Sequence, residues 1–230
     1  MGEFLNLTDA FYEGVGEYGV PELAGVESVD IKKWKTFNYA MNTKLPPKTG
    51  ITFFIWDQQF ERVWNYPNRY VEVLKKFDAV LQPDFSTYID FPKAVQVFNH
   101  YRNQWVARYW QEHGLTVIPT IEWGTKESYE WCFDGVPEDS VVAVSNVGCM
   151  NKKEHRQLFM DGWNEMLVRL QPRKILLFAQ KLDDYKGNWE HIPYDFSITS
   201  DDEEFKPSVS GMPLFDNLPK ETIKELKEKL

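Results

Sequence analysis

The sequence predicts an α/β fold. Its expected form is a mostly parallel sheet of five or more strands in repeated βα units, with an irregular or incomplete (β/α) barrel favoured over an open doubly wound sheet. Three observations predict it. Five short apolar runs are continuous rather than alternating, as strands covered by helices on both faces must be. Between them, apolar residues recur at helical spacing. The two kinds of segment alternate along the chain, and right-handed crossovers then make neighbouring strands parallel. The regularity of the repeat favours the barrel.

The expected strands are Ile51–Trp56, Ala79–Gln82, Leu115–Ile121, Val141–Ser145 and Ile175–Ala179. After the first, Pro67 suits the first turn of a helix whose buried face is Tyr70, Val73, Leu74 and Phe77. The next helix runs from about Pro92 to His113, with Gly114 as its stop. A shorter one covers about Lys126–Phe133, capped by Thr125 and ended at Asp134–Gly135. The last core helix spans about Lys152–Leu170 and buries Phe159, Gly162, Trp163, Met166 and Leu170. A glycine on that face predicts close approach of a neighbouring element.

A single domain over residues 1–230 is expected, with its core at about 50–180 and the segments 1–48 and 181–230 packed on it. Hydrophobic residues are 43% of the chain and aromatics 16%, with nine Trp, enough for a sizeable core. The acidic run Asp201–Glu204 reads as a solvated loop, and a short amphipathic helix follows Pro219, with Ile223, Leu226 and Leu230 on one face.

The net charge of −9 argues against broad coating of duplex DNA, which needs many cations against phosphate. No apolar stretch reaches the ~18 residues of a membrane span. The N-terminus shows no basic region followed by an apolar run, so a cytoplasmic protein is expected. Cys132 and Cys149 read as buried free thiols.

In both architectures the ligand site lies at the carboxyl ends of the strands. Asp57 follows the first strand, Asp84 and Ser86 the second, Glu122 and Trp123 the third, and Asn146 the fourth. Carboxylates so placed can divide acid and base roles or hold a divalent ion, with Mg²⁺ the candidate. The same residue types also cap helices and turn the chain. Catalytic candidates are therefore Asp57, Asp84 and Glu122; ligand-binding candidates are Arg102, Asn99, Asn103, Ser86, Trp123 and Asn146.

Arg102 falls inside the apolar stripe of Phe98, Trp105 and Tyr109. A guanidinium there needs a partner. One reading is a buried salt bridge to Asp84, Asp90 or Asp57; the other is an anion clamp for phosphate or carboxylate, extended by Asn99 and Asn103.

Other chemistries are poorly supported. Gly14–Gly19 spells G-x-G-x-x-G, but no buried strand precedes it and Pro21 follows, so turn glycines are expected. No His pairs with another His or Cys at zinc-ligand spacing, so no dedicated metal site is expected. There is neither a Walker A motif nor a G-x-S-x-G elbow. A Cys149–His155 pairing is only one of convenience.

Several segments together carry a resemblance. They are Phe53–Phe54–Ile55–Trp56–Asp57 with Phe60–Glu61–Arg62, Val80 through Ser86, Asn99–His100–Tyr101–Arg102–Asn103, Tyr109–Trp110–Gln111, and Val117–Ile118–Pro119 with Trp123. The Gly19–Val20–Pro21 turn and Gly162 also fit. Over roughly residues 14–180 the chain resembles the domain of unknown function 4417 family, found in phages and bacterial mobile elements. It departs at Ala179–Gln180, where the family tends to have Tyr–Gly. The resemblance implies a phage or mobile-element accessory protein, and it brings no reaction, cofactor or catalytic residue.

Three functions compete: binding of a small anionic ligand such as a nucleotide at the strand ends, a metal-assisted hydrolase or nuclease built on the carboxylates, and an anti-defence protein that binds a host factor.

Overall fold

A computed structural model describes residues 6–7, 9–41, 47–181 and 185–193. The chain divides at Tyr194, and all described residues belong to the first unit. The expected acidic loop Asp201–Glu204 and the helix bearing Ile223, Leu226 and Leu230 lie outside the described residues.

The order is β1 (Lys33–Thr36), a 3₁₀ turn (Phe37–Tyr39), β2 (Thr49–Thr52), α1 (Asp57–Asn65), α2 (Pro67–Leu74), β3 (Ala79–Leu81), α3 (Lys93–Glu112), β4 (Val117–Ile118), a 3₁₀ turn (Lys126–Glu130), β5 (Val141–Ser145), α4 (Lys153–Leu170), β6 (Lys174–Phe178) and β7 (Trp189–Ile192). Strands β1-β2-β3-β4 form one parallel sheet and β5-β6-β7 another. A parallel bridge from Thr120 to Ala143 joins them, with Ile121 N–H donating to the Ala143 carbonyl at 2.8 Å and Ala143 N–H to that of Pro119 at 2.8 Å. At this junction the Gln82 side chain continues the ladder, accepting from Thr120 N–H while Thr120 Oγ1 donates to the Gln82 carbonyl.

Strand order thus follows chain order without the reversal that defines a doubly wound sheet. No ladder joins β1 to β7 among the described residues, so no closed barrel forms. The sheet nonetheless curls. Phe178 of β6 meets Trp34 of β1 at 5.3 Å and Phe54, just past β2, at 4.9 Å. Gly50 makes room for this, because a Cβ there would strike the Trp34 ring. Alternation along β5 and β6 separates two cores. Val141, Ala143, Leu176 and Phe178 pack with β1–β4, whereas Val142, Val144, Ile175 and Leu177 pack with Phe159, Trp163 and Met166 of α4.

Several elements differ from expectation. The first strand ends at Thr52, because the chain leaves the ladder and Ile55 N–H bonds the Phe53 carbonyl in a tight turn. The third shrinks to Val117–Ile118 as it passes from β3 to β5. The helix expected at Lys126–Phe133 is a 3₁₀ turn, and Thr125 makes no side-chain cap; Ser128 Oγ accepts from Gly124 N–H and donates to the Thr125 carbonyl instead. Strands β1 and β7 and helix α1 were not anticipated. Gly14–Gly19 is a turn, closed by paired bonds between Val15 and Val20, with Gly16 and Gly19 at positive φ. The Gly162 expectation holds: a Cβ there would collide with the Trp123 indole.

Candidate functional site

The ends of β2, β3 and β4 bring Asp57, Asp84 and Glu122 into one cluster, in which Asp57 raises the pKa of Asp84 and both raise that of Glu122. Asp57 opens α1, where a carboxylate suits the helix N-terminus. Asp84 and Glu122 follow β3 and β4 directly. All three are deeply set yet keep some solvent contact.

The loop after β3 is held from both flanks. Asp57 accepts from Ser86 N–H at 3.0 Å and Ser86 Oγ at 2.9 Å. Glu122 accepts through Oε2 from Thr87 N–H and Oγ1, and through Oε1 from Asn103 Nδ2 at 2.9 Å. Asn103 also exchanges bonds with the Phe85 backbone, and Asn99 Nδ2 donates to the Ser86 carbonyl at 2.6 Å. The two asparagines expected to touch ligand are therefore occupied in fixing the loop that carries Asp84.

Arg102 is buried, as its place in the stripe requires, but its partner is none of Asp84, Asp90 or Asp57. Its Nη1 donates to both oxygens of Glu61, at 2.8 and 2.9 Å, and its Nε to Asn99 Oδ1 at 3.0 Å. The guanidinium also lies 3.6 Å from the Phe85 ring centroid. Glu61 stands one turn beyond Asp57 on α1, an i, i+4 relation that becomes visible only once Asp57–Asn65 is read as a helix.

Trp123 packs on Phe159 at 5.1 Å and over Gly162, which makes it a support for the end of β4. Asn146 is saturated. Its Nδ2 donates to the Gln180 carbonyl and to Tyr185 Oη, and its Oδ1 accepts from Gln180 N–H. It ties β5 to the segment after β6. Cys149 lies near enough to Asp84 to feel its charge, and burial with that charge pushes its thiol up to about 11. A thiol so held is a poor nucleophile, which removes support from the Cys149–His155 pairing.

The three carboxylates differ in hydrogen bonding. Burial first, then Asp57, pushes the Asp84 carboxyl up to about 7. Burial, Asp84 and Asp57 push Glu122 up, against the donors from Thr87. Burial also raises Asp57, opposed by the Ser86 donors and Arg102. Such a set titrates as a unit and cannot hold three full charges at neutral pH. Asp57 and Glu122 each receive donors that favour the ionised form, whereas among the described residues none donates a hydrogen bond to Asp84. Burial and mutual repulsion raise both Asp84 and Glu122, so the proton is shared between those two carboxyls. Among the described residues, no three His, Cys, Asp or Glu side chains are placed to share a metal ion, so the geometry does not fit Mg²⁺ held by all three carboxylates.

The fold and site define a parallel α/β protein with an acidic cluster at the carboxyl ends of its strands. Residues 12–196 match the family described as Domain of unknown function (DUF4417), and the chain belongs to that family. It is 36% identical over 182 residues to the Gene 1 protein of Mycobacterium phage L5, covering 77% of this chain and 78% of that protein. It is 36% identical over 175 residues to the Gene 1 protein of Mycobacterium phage D29, covering 72% of this chain and 64% of that one. No solved structure matches the chain. Among the described residues no helix is long and apolar enough to cross a membrane.

Proposed function

We propose that the strand-end cluster performs general acid–base chemistry of the hydrolytic class, with Asp84 and Glu122 sharing the proton that it delivers. One observation carries this reading: among the described residues Asp84 is the cluster member to which no hydrogen bond is donated, and burial with the nearby Asp57 pushes its carboxyl up to about 7. A carboxyl group that gains and loses its proton near neutral pH suits a general acid–base. Capping alone does not explain a buried acid that caps nothing. An anionic ligand such as a nucleotide is less well supported, since it would meet three carboxylates while Arg102 is already neutralised by Glu61.

The test is a pH titration of the Asp side-chain carboxyls by carbon-detected NMR on the full chain. One Asp resonance should titrate near 7 and vanish in Asp84→Asn. A titration near 4 for Asp84 overturns the reading. Model esters, amides and glycosides screened from pH 5 to 8 then report the bond type, and their turnover should be lost in Asp84→Asn.

A further inference from the structure

One side chain ties the two proton-sharing carboxyls together, and its role deepens the acid–base reading above and rests on it. Asn103 stands on α3 and is only 2% exposed. Its Nδ2 donates to Glu122 Oε1 at 2.9 Å and to the Phe85 carbonyl at 3.1 Å, and its Oδ1 accepts from Phe85 N–H at 2.9 Å. Phe85 directly follows Asp84 in the chain. A single amide therefore grips the backbone beside one carboxyl and an oxygen of the other.

The Phe85 backbone also decides which way that amide faces. A carbonyl can only accept and a backbone N–H can only donate. Turned over, Asn103 would set its oxygen against the Phe85 carbonyl and the Glu122 carboxylate, and its NH₂ against an N–H. The observed orientation commits both amide hydrogens, so Glu122 Oε1 always meets a donor. Glu122 Oε2 differs. It accepts from Thr87 N–H at 3.2 Å and Thr87 Oγ1 at 3.1 Å, and a hydroxyl can turn to accept as well as donate. A proton on Glu122 would thus find a partner at Oε2 but would oppose the Asn103 N–H at Oε1.

Asn99 supplies an internal comparison. It stands one turn earlier on α3 and holds the same loop, its Nδ2 donating to the Ser86 carbonyl at 2.6 Å and its Oδ1 accepting from Arg102 Nε at 3.0 Å. Neither bond reaches a carboxylate of the cluster. Losing Asn99 loosens the loop. Losing Asn103 loosens the loop and also takes a donor away from Glu122.

We infer that Asn103 is a positioning residue of the acid–base site, keeping Glu122 Oε1 an acceptor and so biasing the shared proton away from Glu122 and towards Asp84. A donor aimed at a carboxylate favours its ionised form. The charged and titratable groups near enough to act on Glu122 are Asp57 from α1, Asp84 after β3, Tyr88 from the same loop, Arg102 from α3 and Cys132 after the second 3₁₀ turn; Cys149, after β5, acts on Asp84. Burial raises Tyr88 and pushes the thiols of Cys132 and Cys149 up to about 12 and about 11, while Glu61 keeps Arg102 a cation. Between about pH 4 and 9 the titration at this site therefore belongs to the carboxyls.

The experiment follows the carboxyl carbons of Asp84 and Glu122 and the side-chain amide of Asn103 by NMR on the full chain, from about pH 4 to 9. In the unmodified protein the Asn103 Nδ2 protons should shift with the same midpoint as the Glu122 carboxyl. In Asn103→Leu, of similar shape and shown to be folded by circular dichroism, Glu122 should titrate about one pH unit higher and Asp84 lower. A purely structural Asn103 gives the opposite sign at Glu122, because a loosened loop admits water and both carboxyls fall towards ordinary values. That result overturns the inference, as does an equal rise of Glu122 in Asn99→Leu or an Asn103 amide that ignores the Glu122 titration. Should Asn103→Leu fail to fold, the amide titration of the unmodified protein decides by itself. If Asp84 and Glu122 of the unmodified protein both titrate near 4, the acid–base reading fails. If they titrate high and only the response to Asn103→Leu has the wrong sign, that reading stands and this inference alone falls.

Discussion

The two flanks of the strand-end surface use polar side chains in opposite ways. At the end of β5, Asn146 spends both amide hydrogens and its oxygen on the segment after β6. At the ends of β2, β3 and β4, Asp57 and Glu122 fix a loop, while Asp84 has no hydrogen-bond partner among the described residues. Both flanks occupy the position where α/β folds bind ligands. The difference teaches that location is insufficient, and that a site shows itself by hydrogen-bonding capacity left unused.

The strongest way to break this comparison is Asp84→Asn. Asp84 has a folded pKa of about 7, above its unfolded value near 3.9, so both states are protonated at low pH and no penalty exists there. As pH rises from 4 through 7, the unfolded chain ionises first and the fold is progressively penalised. Asp84→Asn should therefore stabilise the protein by roughly 2–4 kcal/mol at pH 8 and by almost nothing at pH 4, read by urea denaturation at both values. Equal effects at the two pH values would make Asp84 an ordinary structural residue.

Asn146→Ala tests the opposite flank. It removes three hydrogen bonds and should cost about 3 kcal/mol, independent of pH between 5 and 8. Gly162→Ala drives a methyl group into the Trp123 indole and should cost about 1–3 kcal/mol by thermal or urea denaturation. Because Trp123 adjoins Glu122, this variant should also shift the cluster's titration. The smallest effect belongs to Cys149→Ser, expected within about 0.5 kcal/mol since the thiol makes only a long hydrogen bond, to the Val147 carbonyl, among the described residues. Its thiol should alkylate with iodoacetamide far more slowly at pH 8 than a free cysteine, as a pKa of about 11 leaves little thiolate.

Much of the fold was legible. Val141–Ser145 forms a strand at its expected bounds, and Phe159, Gly162, Trp163, Met166 and Leu170 are the buried face of α4. Continuous apolar runs and 3.6-residue periodicity survive any tertiary context that covers both faces. The edge strands were not legible. Lys33–Thr36 and Trp189–Ile192 are short and partly exposed, so they carry no continuous apolar signal. Helix α1 carries the helical spacing of Phe60, Val63 and Trp64, but it follows so closely on the apolar run ending at Trp56 that Asp57 reads as the end of a strand rather than the start of a helix. That omission concealed Glu61, and with it the partner of Arg102.

The sequence by itself determined the parallel α/β class and placed Asp57, Asp84 and Glu122 at one end of the strands, because alternating apolar runs and helices leave few topologies. Only the tertiary structure decided which of those polar groups is spent. Ser86 lies 29 residues from Asp57, Thr87 35 from Glu122, and Glu61 41 from Arg102. Hydrogen bonds between segments so far apart exist only once the sheet has curled. The same folding step that satisfied Asn99, Asn103, Arg102 and Asn146 left Asp84 without a hydrogen-bond partner among the described residues.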